Sequence, residues 1–118
     1  MDEPTTVSIE DRPEGIKIIT FHGDLDSLGV RMVEERFTSA ISNRSSRLAV
    51  DLTGVGFLSS SGLALLLVKG KMLRQGGGNL VIAGPNPHVL EVLTMAGFQE
   101  LFEVYPTLPE ALAALGRG

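Results

Sequence analysis

Leu48-Ala49-Val50-Asp51-Leu52 is a nearly continuous apolar run, followed at once by the turn Thr53-Gly54-Val55-Gly56. A strand with one wet face alternates apolar and polar residues. A strand apolar at almost every position belongs in the middle of a sheet covered on both faces. The rest of the chain must therefore supply neighbouring strands and the helices that cover them.

It does so in regular order. Val7-Ser8-Ile9-Glu10 alternates as a half-buried strand does, Asp11-Arg12-Pro13-Glu14-Gly15 turns, and the β-branched run from Ile16 to Phe21 returns, so the pair reads as a hairpin. Gly23-Asp24-Leu25-Asp26-Ser27 leads into a helix on which Val30, Val33, Phe37 and Ile41 recur at spacings of three and four. After the polar loop Ser42 to Ser46 and the central strand, a second helix is predicted from about Ser60 to Gln75. It begins at serine caps and stops at Gly76-Gly77-Gly78. Its first half is apolar almost all round, which predicts the most buried helix. Asn79 to Ala83 is a further strand. Asn86-Pro87 is a good helix start for the segment carrying Val89, Val92, Leu93 and Ala96, which ends at Gly97. Leu101 to Tyr105 reads as a short edge strand, and Thr107 to Glu110 has capping-box spacing before a last helix, Leu108 to Leu115.

The order β-β-α-β-α-β-α-β-α defines an α/β fold, a central mixed sheet of about four to five strands with four helices. All 118 residues form a single domain, with residues 1–6 expected as a loose N-terminal tail. With no Trp, one Tyr and five Phe, the core is expected to be built from Leu, Val, Ile and Ala.

Composition excludes several functions. The net charge is -4 and the basic residues are scattered among acidic ones, so no nucleic-acid partner is expected. The absence of cysteine removes disulfides, thiolate metal sites and Cys nucleophiles. No signal peptide is evident, and the longest apolar run, Leu63 to Val68, is too short to cross a bilayer. A cytoplasmic protein without membrane insertion is expected.

Catalytic constellations are poor. His22 and His88 have no second clustered ligand, so a surface or capping role is preferred, and neither a metal nor a cofactor is expected. Gly76-Gly77-Gly78 ends a helix where a phosphate loop would begin one. Lys69 and Lys71 are expected to reach solvent. Asp24 and Asp26 precede a helix, where carboxylates cap and complement the dipole; from chemistry alone that structural role is favoured.

The serine run is different. Ser59, Ser60 and Ser61 lie where strand and turn deliver the chain to a helix N-terminus. One serine is enough for a cap. Three leave hydroxyls over beside unpaired backbone N–H groups, where a phosphate would meet donors and a positive dipole end. A docked partner would then meet a new charge, with no need for the fold to change.

The segment Asp51-Leu-Thr-Gly-Val-Gly-Phe-Leu-Ser-Ser-Ser-Gly-Leu63 resembles the central motif of the STAS domain of anti-sigma factor antagonists, D-L-S-x-V-x-F-x-D-S-S/A-G-L. Gly23-Asp24-Leu25-Asp26 is similar to the family's G-E-L-D, Gly76 to Leu80 to its G-G-x-L, and Val89 to Phe98 to its V-x-x-L-L-x-x-x-G-L/F. The resemblance covers nearly the whole chain. It implies a STAS fold and a cytosolic binding switch, not an enzyme. The unphosphorylated form would bind an anti-sigma factor of the serine kinase type and release a sigma factor. Phosphorylation by that kinase would break the complex, and a PP2C-like phosphatase would restore it. The phosphorylated serine would be Ser60, two residues before Gly62, with Ser59 and Ser61 as the secondary candidates. The partner surface would comprise Asp24, Asp26, Ser59, Ser60, Ser61, Gly62 and Leu63. Where the family often carries Asp, just before the phosphoacceptor, this chain has Ser59. The alternative within the family is a STAS adaptor subunit of a transport or stress-sensing assembly that is not phosphorylated.

Overall fold

The computed structural model describes residues 4–116. Strands β1 (Thr6–Asp11) and β2 (Ile16–His22) form the expected hairpin, joined by a 3₁₀ turn at Pro13–Gly15. Helix α1 (Ser27–Ala40), strand β3 (Arg47–Gly54), helix α2 (Ser60–Gln75) and strand β4 (Asn79–Ala83) follow. The chain closes with helix α3 (Pro87–Met95), strand β5 (Val104–Tyr105) and helix α4 (Leu108–Gly116). The sheet runs β1-β2-β3-β4-β5, antiparallel at the hairpin and parallel thereafter, so β3 lies at its centre. That is where its apolar pattern puts it.

The two faces of the sheet are unequal. Ile19, Phe21, Leu48, Val50, Leu52, Leu80 and Ile82 point into a large core with residues of α1, α2 and α3, including Val33, Phe37, Leu65, Leu66, Leu73, Val89 and Leu93. On the opposite face Ile16, Ala49, Val81 and Ala83 meet α4 through Ala111 and Leu115, with Tyr105 packed beside them. Small residues on that side let one helix cover it. Each Leu or Phe buried in the larger core contributes about 1.5–3 kcal/mol.

Three expectations are revised. Phenylalanine is not marginal: Phe21, Phe37, Phe98 and Phe102 are all buried, and Phe21 meets Phe37 edge-on at 5.4 Å between ring centroids. The expected tail is ordered where it is described, since Thr6 pairs with His22 and Thr5 is only 8% exposed; residues 1–3 lie outside the described residues. The last strand is shorter than Leu101 to Tyr105. Phe98 opens a 3₁₀ turn and packs against Phe102 with ring centroids 5.2 Å apart, which draws Phe102 inward and leaves Val104 and Tyr105 to pair with β4. Helix α2 has the most buried residues of the four helices, as expected, namely Gly62, Leu65, Leu66, Gly70 and Leu73, yet it is not enclosed: Ala64 is exposed and Val68 is 54% exposed. A single layer of helices leaves every helix one outer face, whatever its sequence.

Candidate functional site

The site forms where β2 and β3 end. Beyond the strands the two chains stay paired through their loops. Gly23 N–H donates to Gly54 O at 3.0 Å, Leu25 N–H to Phe57 O at 2.9 Å, and Ser59 N–H to Leu25 O at 3.0 Å. Leu25 and Leu58 make a parallel bridge, and both side chains are buried. Two apolar anchors thus hold loops that would otherwise be mobile, because a buried backbone group must keep its partner.

From this seam two helices start side by side. Asp26 caps α1, its Oδ1 accepting the Gly29 N–H at 2.8 Å, and Ser59 caps α2, its Oγ accepting the Gly62 N–H at 3.3 Å. Both glycines sit at positions without room for a side chain. A Cβ on Gly29 would overlap the Asp24 carbonyl oxygen, and one on Gly62 would lie 2.5 Å from Leu25 O and 2.7 Å from Leu58 Cδ1. The helix starts can approach the loops this closely only because both residues are glycine.

The three serines have different situations. Ser59 Oγ donates to Leu25 O at 2.8 Å while accepting from Gly62, so its hydroxyl is used in both directions. Ser61 is half-buried, and its Oγ lies 3.3 Å from Ser27 Oγ across the gap between α1 and α2. Ser60, in the first turn of α2, is exposed, and its hydroxyl makes no hydrogen bond among the described residues. The first turn of α2 contains no acidic residue and its cap is neutral, so the positive end of the helix is left uncompensated.

Of the other residues singled out in the sequence, Asp24 is exposed and Asp26 half-buried, both beside the start of α1. Gly62 is buried and Leu63 half-buried against the main core, so they shape the surface more than they present it. A shallow cleft next to them is lined by Thr5, Asp24, Asp26, Leu28 and Met32, with Leu28 64% exposed. Among the described residues no group of three or more His, Asp or Glu comes together to hold a metal ion.

Some contributors were not visible in the sequence. Asn86 caps α3 as expected, accepting from Val89 N–H at 2.7 Å, but its Nδ2 also donates to Val55 O at 3.2 Å. His88 stacks on the exposed ring of Phe57, with ring centroids 5.6 Å apart and planes 13° apart. An Asn-Pro helix start signals the cap and says nothing of what the spare amide reaches. Thr5 lies in the segment expected as tail, yet it donates to Asp24 O at 2.7 Å.

This is a surface built by loops tied to each other through hydrogen bonds, carrying among the described residues an exposed serine hydroxyl with no hydrogen bond, two carboxylates and exposed apolar residues, and the class to which it belongs is a small α/β domain. The family model for the STAS domain matches residues 9–111, and the chain belongs to that family. BtrV of Bordetella bronchiseptica is 32% identical over 104 residues, covering 88% of this chain and 90% of BtrV. The anti-sigma F factor antagonist of Paenibacillus polymyxa is 30% identical over 102 residues, 86% of this chain and 87% of the relative. Among solved structures, an anti-sigma factor antagonist from Mycobacterium paratuberculosis is similar with a TM-score of 0.87 at 26% identity, covering 98% of this chain and 99% of that one. The phosphorylated form of the Bacillus cell fate determinant SpoIIAA shares the fold, with a TM-score of 0.72 at 21% identity over 92% of this chain and 98% of that one. Among the described residues no helix is long and apolar enough to cross a membrane.

Proposed function

We propose that this chain is an anti-sigma factor antagonist that acts in the cytoplasm as a binding switch without catalysis. In its unphosphorylated form it binds an anti-sigma factor of the serine kinase type, which frees a sigma factor. The kinase phosphorylates Ser60, the complex dissociates, and a PP2C-like phosphatase resets it. The relatives' names support the antagonist reading. The observation that carries the site is the inequality of the serines. Ser59 spends its hydroxyl on the cap and on Leu25 O, Ser61 faces Ser27, and Ser60 alone of the three is exposed, with a hydroxyl that makes no hydrogen bond among the described residues.

The chemistry of switching follows from position. A phosphate on Ser60 would stand at an uncompensated helix N-terminus, which favours an anion, so the fold tolerates the modification. The docked partner would instead meet a dianion on a desolvated contact, where like charge and desolvation weaken binding. Asp24 and Asp26 border the same surface and would contact the partner. Incubation with ATP and the anti-sigma kinase tests the assignment. Ser60→Ala should abolish phosphate uptake, while Ser61→Ala should retain it. Equal affinity of the kinase for the unmodified and phosphorylated forms would sink the switch; the expected loss is at least about tenfold, equivalent to roughly 1.4 kcal/mol.

A further inference from the structure

We infer that Thr5 is a positioning residue for the phosphoacceptor turn, joined to it by a chain of hydrogen bonds that crosses the loop seam; the functional part of this inference rests on the reading of Ser60 given above. Thr5 comes just before β1, remote in sequence from Ser60. Its hydroxyl donates to Asp24 O at 2.7 Å, and the residue is 8% exposed. Asp24 is followed by Leu25, whose N–H is held by Phe57 O and whose carbonyl accepts both the N–H and the Oγ of Ser59. Ser59 then caps α2, setting where Ser60 emerges. The links run from Thr5 to Asp24, through Leu25, to Ser59.

Packing makes the first link tight. The ideal Cβ position on Gly29 falls 2.8 Å from Thr5 Oγ1, and that on Gly23 falls 3.0 Å from Thr5 Cα. Thr5 is therefore wedged over two glycines, the one that starts the loop and the one that receives the Asp26 cap. A hydroxyl in this place does what an apolar side chain of the same shape would not: it pins the carbonyl of Asp24 and with it the orientation of the Asp24–Asp26 turn. Among the described residues Leu25 O is tied by the N–H and Oγ of Ser59 and Val55 O by Asn86, so Thr5 is the side-chain tether of the Asp24 carbonyl.

The test compares Thr5→Val, which keeps the shape and removes the donor, with Thr5→Ser, which keeps the donor. Amide hydrogen exchange on the full chain is read at Leu25 and Ser59, with Val50 in the middle of β3 as the reference. Thr5→Val should speed exchange at Leu25 and Ser59 by roughly fivefold, the equivalent of one net hydrogen bond, with Val50 unchanged and Thr5→Ser near wild type. Thr5→Ala serves the same comparison should the valine variant fold poorly. Unchanged exchange at Leu25 and Ser59, or an equal rise at Val50, overturns the coupling. With the kinase that phosphorylates the wild-type protein, Thr5→Val should raise KM several-fold and leave kcat close to wild type, with recovery in Thr5→Ser. An unaltered KM overturns the positioning role. If the wild-type chain takes up no phosphate on Ser60, the failure belongs to the assignment of Ser60, and the exchange comparison still decides the coupling.

Discussion

Helices α1 and α2 begin with the same four-residue device. Asp26-Ser27-Leu28-Gly29 and Ser59-Ser60-Ser61-Gly62 each consist of a cap, a serine in the first position, a variable residue and a glycine whose N–H the cap accepts. Ser27 and Ser60 are both exposed, so exposure does not distinguish them, although Ser27 Oγ lies 3.3 Å from Ser61 Oγ. The caps do. A carboxylate closes α1, with Asp24 two residues away, whereas a neutral hydroxyl closes α2 and no acidic residue follows in its first turn. A phosphate on Ser27 would sit against the Asp26 charge; one on Ser60 would meet a bare positive helix end. The difference between the two starts lies in what already occupies the helix dipole.

The largest effects should come from what the two starts share. Gly29→Ala places a methyl group on the Asp24 carbonyl oxygen and against Thr5 Oγ1, and neither backbone nor wedged side chain can easily yield. A loss of about 3 kcal/mol is expected, at the upper end for overpacking. Gly62→Ala meets Leu25 O at 2.5 Å and Leu58 Cδ1 at 2.7 Å, and the leucine end can move, so about 2 kcal/mol is expected. Urea midpoints at unchanged slope would measure both. Equal midpoints for Gly62→Ala and wild type would show that the α2 start is looser than the α1 start.

Next come the caps. Ser59→Ala removes the acceptor for Gly62 N–H and a donor to Leu25 O, which retains the Ser59 N–H as a partner. The expected cost is about 1 kcal/mol. Asp26→Ala removes one cap bond and a favourable charge at the start of α1, for a similar cost of about 1 kcal/mol. The two should part with added salt: the Asp26 contribution declines and the Ser59 contribution does not, because only the first contains a charge. Urea midpoints at low and high salt would separate them, and equal salt dependence would remove the distinction between the caps.

This contrast also explains what could be read from the chain. Patterning made the sheet and its helices legible, because period two and period 3.6 each have one geometric solution. The cap boundaries were legible too, since Thr107 Oγ1 accepts the Glu110 N–H at 3.3 Å as its capping-box spacing predicts, and also donates to Glu110 Oε1 at 3.0 Å. The site was only partly legible. Three adjacent serines look alike in a sequence, and what separates them is Leu25 O, a carbonyl 34 residues before Ser59. Thr5 looked like tail because a polar threonine carries no periodic signal, and its burial depends on the glycines beneath it. Asn86 announced one of its two roles. Hydrogen bonds between loops distant in sequence have no local signature, and this site is held together by such bonds.

The smallest predicted effect is the one that tests the comparison most directly. Ser60→Asp adds a charge beside the neutral cap of α2, and should stabilise the domain by about 0.5 kcal/mol at low ionic strength. Ser27→Asp adds the same charge at the same helix position of α1, where the Asp26 carboxylate already stands. Its dipole gain is offset by repulsion between neighbouring carboxylates, so its net effect should be near zero or destabilising. The difference between the variants should shrink as salt is raised to 1 M, where the Debye length falls to about 3 Å. Thermal or urea unfolding of the two variants at low and high salt would measure it. Should Ser27→Asp stabilise as much as Ser60→Asp, cap identity would not be what sets the two helix starts apart, and the preference for Ser60 would rest on its free hydroxyl alone.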